Sequence, residues 1–101
     1  MVKYDKMIVK RSDKAGKKYV AIFTDSSSGR KKETNFGDSS ATDYLLSGDK
    51  DRRQRYRQRH KRDLETNDPT RAGYLAWFLL WGASTSLRTN VSNYKKRFGF
   101  K

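Results

Sequence analysis

Lys18-Tyr19-Val20-Ala21-Ile22-Phe23-Thr24-Asp25 is the stretch on which the fold turns. Its β-branched and aromatic residues alternate, with Tyr19, Ala21 and Phe23 on one face and Val20, Ile22 and Thr24 on the other, which is the period of a strand. Upstream, Asp13-Lys14-Ala15-Gly16 has turn composition and Tyr4 to Lys10 is a second strand-like run, so the two segments predict a hairpin. Downstream, Ser26 to Gly29 reverses the chain into Arg30 to Gly37, a more polar strand whose only large apolar residue is Phe36. Lys31 and Lys32 would discourage unwanted pairing there, so this strand belongs at an edge. Gly37 to Ser40 ends the sheet.

Beyond the sheet the period changes. Ala41 to Gly48 holds Tyr44, Leu45 and Leu46, too short a cluster to classify and read as a linker pinned to the core. Asp49 is a good N-cap, Asp51 suits a first helical turn, and the Arg, Gln, Lys and Leu residues through to about Glu65 are strong helix formers. The apolar line of this first helix is only Tyr56, His60 and Leu64. Asp68-Pro69 starts a second helix, Thr70 to Trp81, with Asp68 as N-cap and Pro69 at the first position, where its missing N–H costs nothing. Because Tyr74 to Trp81 is apolar without interruption, this helix needs cover on two sides. Gly82 stops it. Ser84 or Ser86 then caps a third helix, with Leu87, Val91, Tyr94 and Phe98 at helical spacing. The expected architecture is a single α+β domain over residues 1–101, a three-stranded antiparallel sheet in 1–40 followed by three helices in 49–101.

A chain of 101 residues supports one modest core, and with 34% hydrophobic residues that core is thin, although aromatics reach 13% and each buries a large area. There are 24 Lys and Arg against 11 Asp and Glu, a formal net charge of +13, which attracts nucleic acid, an acidic protein face or an anionic membrane. The absence of cysteine removes disulfides, thiol nucleophiles and thiolate metal sites, and fits a reducing compartment. Met1 to Lys18 lacks an apolar h-region, so secretion by a signal peptide is not expected, and Asn90-Val91-Ser92 is then a chance sequon. The apolar run Ala72 to Ala83 is well short of the roughly 20 residues that cross a bilayer.

The candidate functional stretch is Arg52 to Arg62. Arg52, Arg53, Arg55, Arg57, Arg59, Lys61 and Arg62 place seven positive charges in eleven residues with no acid among them. Like charges three and four apart destabilise an isolated helix, and a polyanion would relieve that cost. Arginine outnumbers lysine there, and its fork binds oxyanions through two hydrogen bonds. Gln54 and Gln58 are the only amides in the run able to read adenine, so backbone contact without base readout is expected. Arg30, Lys31 and Lys32 form a second basic cluster and Lys95, Lys96 and Arg97 a third; they extend the footprint if they fall on the first helix's side. Trp77, Phe78 and Trp81 are read as core, or as a protein interface if exposed. His60 is the single histidine, so no zinc site of ordinary ligand type assembles, and neither a phosphate loop nor a triad is present. No catalytic residue, metal or cofactor is assigned and no small-molecule substrate is expected. A membrane surface is disfavoured because only Tyr56 and Leu64 would insert.

Several motifs in order carry a family resemblance: Val9-Lys10-Arg11-Ser12, Lys18-Tyr19-Val20-Ala21, Arg55-Tyr56-Arg57-Gln58-Arg59-His60-Lys61-Arg62, Asp68-Pro69-Thr70-Arg71-Ala72-Gly73-Tyr74, Leu79-Leu80-Trp81 and Lys96-Arg97-Phe98. In these the chain resembles short, basic, uncharacterised proteins of nucleocytoplasmic large DNA viruses, including those of algae. It departs from them at Leu64, where an aromatic is expected, and at Gly82-Ala83-Ser84-Thr85. The resemblance implies a viral protein without enzymatic activity, found in the virion and in host cytoplasm or nucleus during assembly, and transfers no site residues. The expected role is then a minor capsid or cement-type component docking through its Arg-rich helix onto acidic capsid protein or packaged nucleic acid. The alternative is a sequence-nonspecific nucleic-acid-binding protein used in DNA packaging.

Overall fold

The computed structural model describes residues 3–101. Three antiparallel strands, β1 (Lys6–Arg11), β2 (Lys17–Thr24) and β3 (Lys31–Asp38), lie in the order β1-β2-β3, so the segment with the clearest alternation has partners on both sides. The register sets Met7 opposite Phe23 and Phe23 opposite Lys32, and Tyr19 opposite Phe36. Met7, Ala21, Phe23 and Phe36 are buried on the face that the helices cover, as the alternation requires. The other face carries Ile8, Ile22 and Val20, and Ile8 remains 55% exposed.

The helical half follows the sheet, as expected, but among the described residues it comprises four α-helices, a 3₁₀ segment and a π segment instead of three helices. The expected linker contains a one-turn helix, α1 (Tyr44–Ser47), because it is capped at both ends: the Asp43 carboxylate accepts from Leu46 N–H, and Gly48 closes the turn at φ 62. The second Asp43 oxygen meets Lys18 Nζ of β2 at 2.5 Å, which ties α1 to the sheet.

The first expected helix is shorter than read. α2 spans Lys50–Arg59, its Asp49 cap accepting from the N–H groups of Asp51 and Arg52. The Arg52 N–H holds the Asp49 carboxyl below its ordinary range. At His60 the backbone leaves helical geometry, and Lys61–Thr66 continues as a tighter 3₁₀ turn ending at Asn67. Two contacts favour this break: His60 Nδ1 lies 3.2 Å from Asp63, and Tyr74 donates its hydroxyl to the Leu64 carbonyl at 2.8 Å. The expected line of Tyr56, His60 and Leu64 does face inward, since all three are half-buried.

The second expected helix starts late and ends irregularly. Asp68 caps the Thr70 N–H and hydroxyl in a turn, while Thr70 is held by β3 through Lys32 Nζ at 2.8 Å and Thr34 Oγ1 at 2.7 Å. Thr70 is thereby committed to the sheet, and α3 begins only at Ala72 (Ala72–Leu75). It runs directly into a π-helical turn, Ala76–Leu80, closed by Trp81 N–H donating to the Ala76 carbonyl. Leu80 meets β3 at Gly37, where an added Cβ would come within 2.9 Å of its Cδ1.

α4 (Leu87–Phe98) is capped by Ser86, not Ser84, and stopped by Gly99 at φ 74. Its Tyr94 is buried and donates to the Pro69 carbonyl at 2.5 Å, and burial raises its hydroxyl's pKa. Past the helix, Phe100 packs on Phe23, with ring centroids 5.3 Å apart. Lys101 then hydrogen-bonds through its backbone to Asp5 and Met7 at the open edge of β1.

Candidate polyanion interface

The inward arginines of α2 answer a backbone problem. A helix leaves its last carbonyls without partners, and the π turn ends at Trp81 and Gly82 against α2. Arg53 Nε donates to the Gly82 carbonyl at 2.6 Å and Arg57 Nη1 to the Trp81 carbonyl at 2.8 Å. The same guanidinium of Arg57 sits 4.3 Å from the centroid of the Trp77 ring, and that of Arg53 lies 5.6 Å from the Tyr44 ring. Between them Tyr56 stacks on Trp81 at 4.5 Å and on His60 at 4.2 Å. Burial pushes the Tyr56 hydroxyl up to about 12. Burial, and behind it the charges of Arg53 and Arg97, holds Arg57 below its ordinary range.

The loop after the π turn is packed too closely for any other residue at Gly82, since a Cβ there would stand 2.1 Å from the Phe78 carbonyl oxygen. Asn90, buried at 3% exposure, donates to the Leu79 and Ser84 carbonyls and accepts from Ser84 N–H. Its amide holds the loop together, which leaves the sequon at this asparagine inaccessible.

The remaining ridge cations, Arg52, Arg55, Arg59, Lys61 and Arg62, are exposed. Among the described residues the side-chain ion pairs are Lys18–Asp43, His60–Asp63 and Arg71–Asp68, and none uses any of the seven ridge cations. Arg52, Arg55 and Arg59 line one wall of a cleft of about 580 Å³ whose other wall is Lys18 and Gly37 and whose depth reaches Tyr56 and Trp81. Asp43 and Asp38 also border it. Asp43 is spent on Lys18, and hydrogen bonds from the Ser40 N–H and hydroxyl keep Asp38 ionised to below its ordinary pKa.

On the opposite flank of α2 lies a second groove, about 570 Å³, in which Lys50, Arg53, Arg57 and Lys61 follow one another at helical spacing beside Gln54 and Gln58. No carboxylate lines it. At its end a smaller cleft, about 290 Å³, brings Arg97 of α4 to face Arg53 and Arg57.

The expected secondary clusters therefore divide. Arg97 joins the ridge, whereas Lys95 and Lys96 line none of these three grooves. Lys32 is turned to Thr70, and Arg30 and Lys31 stand at the far end of β3 from Gly37, roughly 20 Å along the strand. Trp77 and Trp81 are 7% and 6% exposed, beneath Arg57 and Tyr56, so of Trp77, Phe78 and Trp81 the exposed-ring reading gives way to burial for the two tryptophans. Phe78 is half-buried, 5.0 Å from the Arg97 guanidinium. Lys18 and Lys50 lie outside the basic clusters that the sequence predicts. For Lys50 the signal was present, because 50, 53, 57 and 61 share a helix face; for Lys18 only the tertiary fold supplies it.

The family of unknown function DUF5754 matches residues 7–60, from Met7 in β1 to the His60 that closes α2, just over half of the chain. No curated protein and no solved structure matches.

Proposed function

Because the chain belongs to the family of unknown function DUF5754, its role is read from its surfaces, and we propose that it is a non-enzymatic protein that docks onto nucleic-acid phosphates along α2 without reading sequence. The observation that carries this reading is the groove of Lys50, Arg53, Arg57 and Lys61, a row of cations with no acid in its lining. From Lys50 to Arg59 the helix advances about 14 Å, with Lys61 just past its end, enough to meet successive phosphates of a strand. Arginine forks held on aromatic rings present oxyanion donors that lose little freedom on binding. Gln54 and Gln58 are exposed but are the only amides on the groove, which supports backbone contact over base readout. In the viral setting implied by the resemblance, the partner is packaged nucleic acid.

One observation favours the capsid-fastening role as a second reading. The outer face of the sheet presents Ile8, 55% exposed, with Ile22 beside it and Lys6 and Lys10 around it, a surface suited to an acidic protein partner. Docking on a membrane gains no support from α2, whose only apolar residue, Tyr56, is turned inward.

The test is duplex DNA binding followed by fluorescence anisotropy between about 50 and 200 mM salt, where a steep loss of affinity is expected. Lys50→Gln with Lys61→Gln lowers the log–log salt slope by about two, at roughly 0.9 per phosphate contact. No binding at the low-salt end, together with co-sedimentation with acidic capsid protein, gives the function to the second reading.

A further inference from the structure

We infer that Arg53, Arg57 and Arg97 form a clamp for one phosphate dianion, in the cleft between α2 and α4. The three guanidiniums border a single cavity of about 290 Å³ with Asn93 and Phe78, and no carboxylate lines it. Two of the three guanidiniums are tethered by the fold before any ligand arrives. Arg53 is tethered to the Gly82 carbonyl, Arg57 to the Trp81 carbonyl and the Trp77 face, and Arg97 lies against Phe78 and Phe98 at 5.0 and 5.8 Å.

A tether of this kind uses one N–H of a fork that has five, so the remaining donors of Arg53 and Arg57 are available to a ligand. Nearby polar groups are not competitors. The Asn90 amide is spent on Leu79 and Ser84, and the Tyr94 hydroxyl on Pro69. Three like charges held together without an acid repel one another, and a tetrahedral dianion accepting from all three forks replaces that repulsion with charge-assisted hydrogen bonds. A dianion suits three cations better than the single charge of an internal phosphodiester, which selects a phosphate monoester or free phosphate over the bulk of a nucleic-acid backbone. The terminal phosphate of a strand, running out of the adjoining Lys50–Lys61 groove, is the source that rests on the proposed function above; free phosphate is the source that does not.

Two measurements separate these. Thermal unfolding with inorganic phosphate, against chloride at matched ionic strength, is expected to show a phosphate-specific rise in Tm that Arg97→Gln abolishes, Arg97→Lys keeps in part and Arg59→Gln leaves intact. Arg97 is exposed and donates no hydrogen bond among the described residues, so circular dichroism should show each variant folded. Oligonucleotides with a 5′-phosphate are expected to bind about tenfold more tightly than the same strands with a 5′-hydroxyl, a difference lost in Arg97→Gln. A phosphate-specific Tm rise without any nucleic-acid binding upholds the clamp and removes the proposed function. Nucleic-acid binding indifferent to the 5′ end, with no phosphate-specific Tm rise, overturns the clamp and leaves the proposed function standing.

Discussion

α2 carries arginines on two sides, and the fold uses the two sides differently. Arg53 and Arg57 are drawn inward by the carbonyls of Gly82 and Trp81 and by the rings of Tyr44 and Trp77, so each serves as a cap for the π turn while keeping part of its fork at the surface. Arg52, Arg55 and Arg59, one or two residues away, hold no ion pair among the described residues and stand along an open cleft. Identical side chains in one short run thus divide into those that cap the fold while still offering donors to a ligand, and those that stand in solvent with no structural task. The division follows from helical phase. The inward arginines flank Tyr56 at three residues before and one after, on the face that His60 and Leu64 continue.

The carbonyls that the inner arginines cap are the most sensitive point of this junction. Gly82→Ala forces a methyl against the Phe78 carbonyl, a backbone atom that cannot yield like a side chain, and is expected to cost about 3 kcal/mol in urea unfolding. A loss under 1 kcal/mol would mean the loop relaxes freely and the caps hold nothing rigid. Next in size, Arg57→Gln gives up a hydrogen bond to a part-buried carbonyl and the contact with Trp77, about 2 kcal/mol, whereas Arg59→Gln stays within about 0.5 kcal/mol. Equal costs for the two would erase the distinction between the sides.

The aromatic stack on the inner side of α2 also responds to pH. The Tyr56 hydroxyl is raised to about 12 by burial in its stack, so the unfolded chain loses this proton first as the solution becomes alkaline. Its contribution to stability is fully present below pH 10 and is lost between pH 10 and about 12. Tyr56→Phe should flatten the fall of unfolding free energy across that window. An unchanged slope would show that the stack opens before the hydroxyl ionises.

Much of this was legible in the residues. The sheet announced itself through period-two alternation in β2, and α4 through Leu87, Val91, Tyr94 and Phe98 with a serine cap ahead of them. The charge of α2 was equally plain, and its phase was readable from Tyr56, His60 and Leu64. Other features left no signal in composition. Nothing in Ala76–Leu80 distinguishes a five-residue hydrogen-bond spacing from a four-residue one, because every side chain there is apolar either way. α1 is too short to show a period, and its existence depends on Asp43 and Gly48 acting at once. The late start of α3 comes from Lys32 and Thr34, residues far away in sequence that capture Thr70. Arg97 reaches the ridge only because α4 packs on the π turn whose end Arg53 and Arg57 cap.

The placement of the two indoles also gives the molecule an optical asymmetry. Trp77 lies under the Arg57 guanidinium and Trp81 under the Tyr56 ring, so both chromophores that dominate near-ultraviolet emission report on the junction between α2 and the π turn. The sheet, with its tyrosines and phenylalanines, is nearly silent at those wavelengths. Intrinsic emission therefore follows the seating of one helix, and any ligand that tugs on Arg57 should register as a change in colour or intensity without a label.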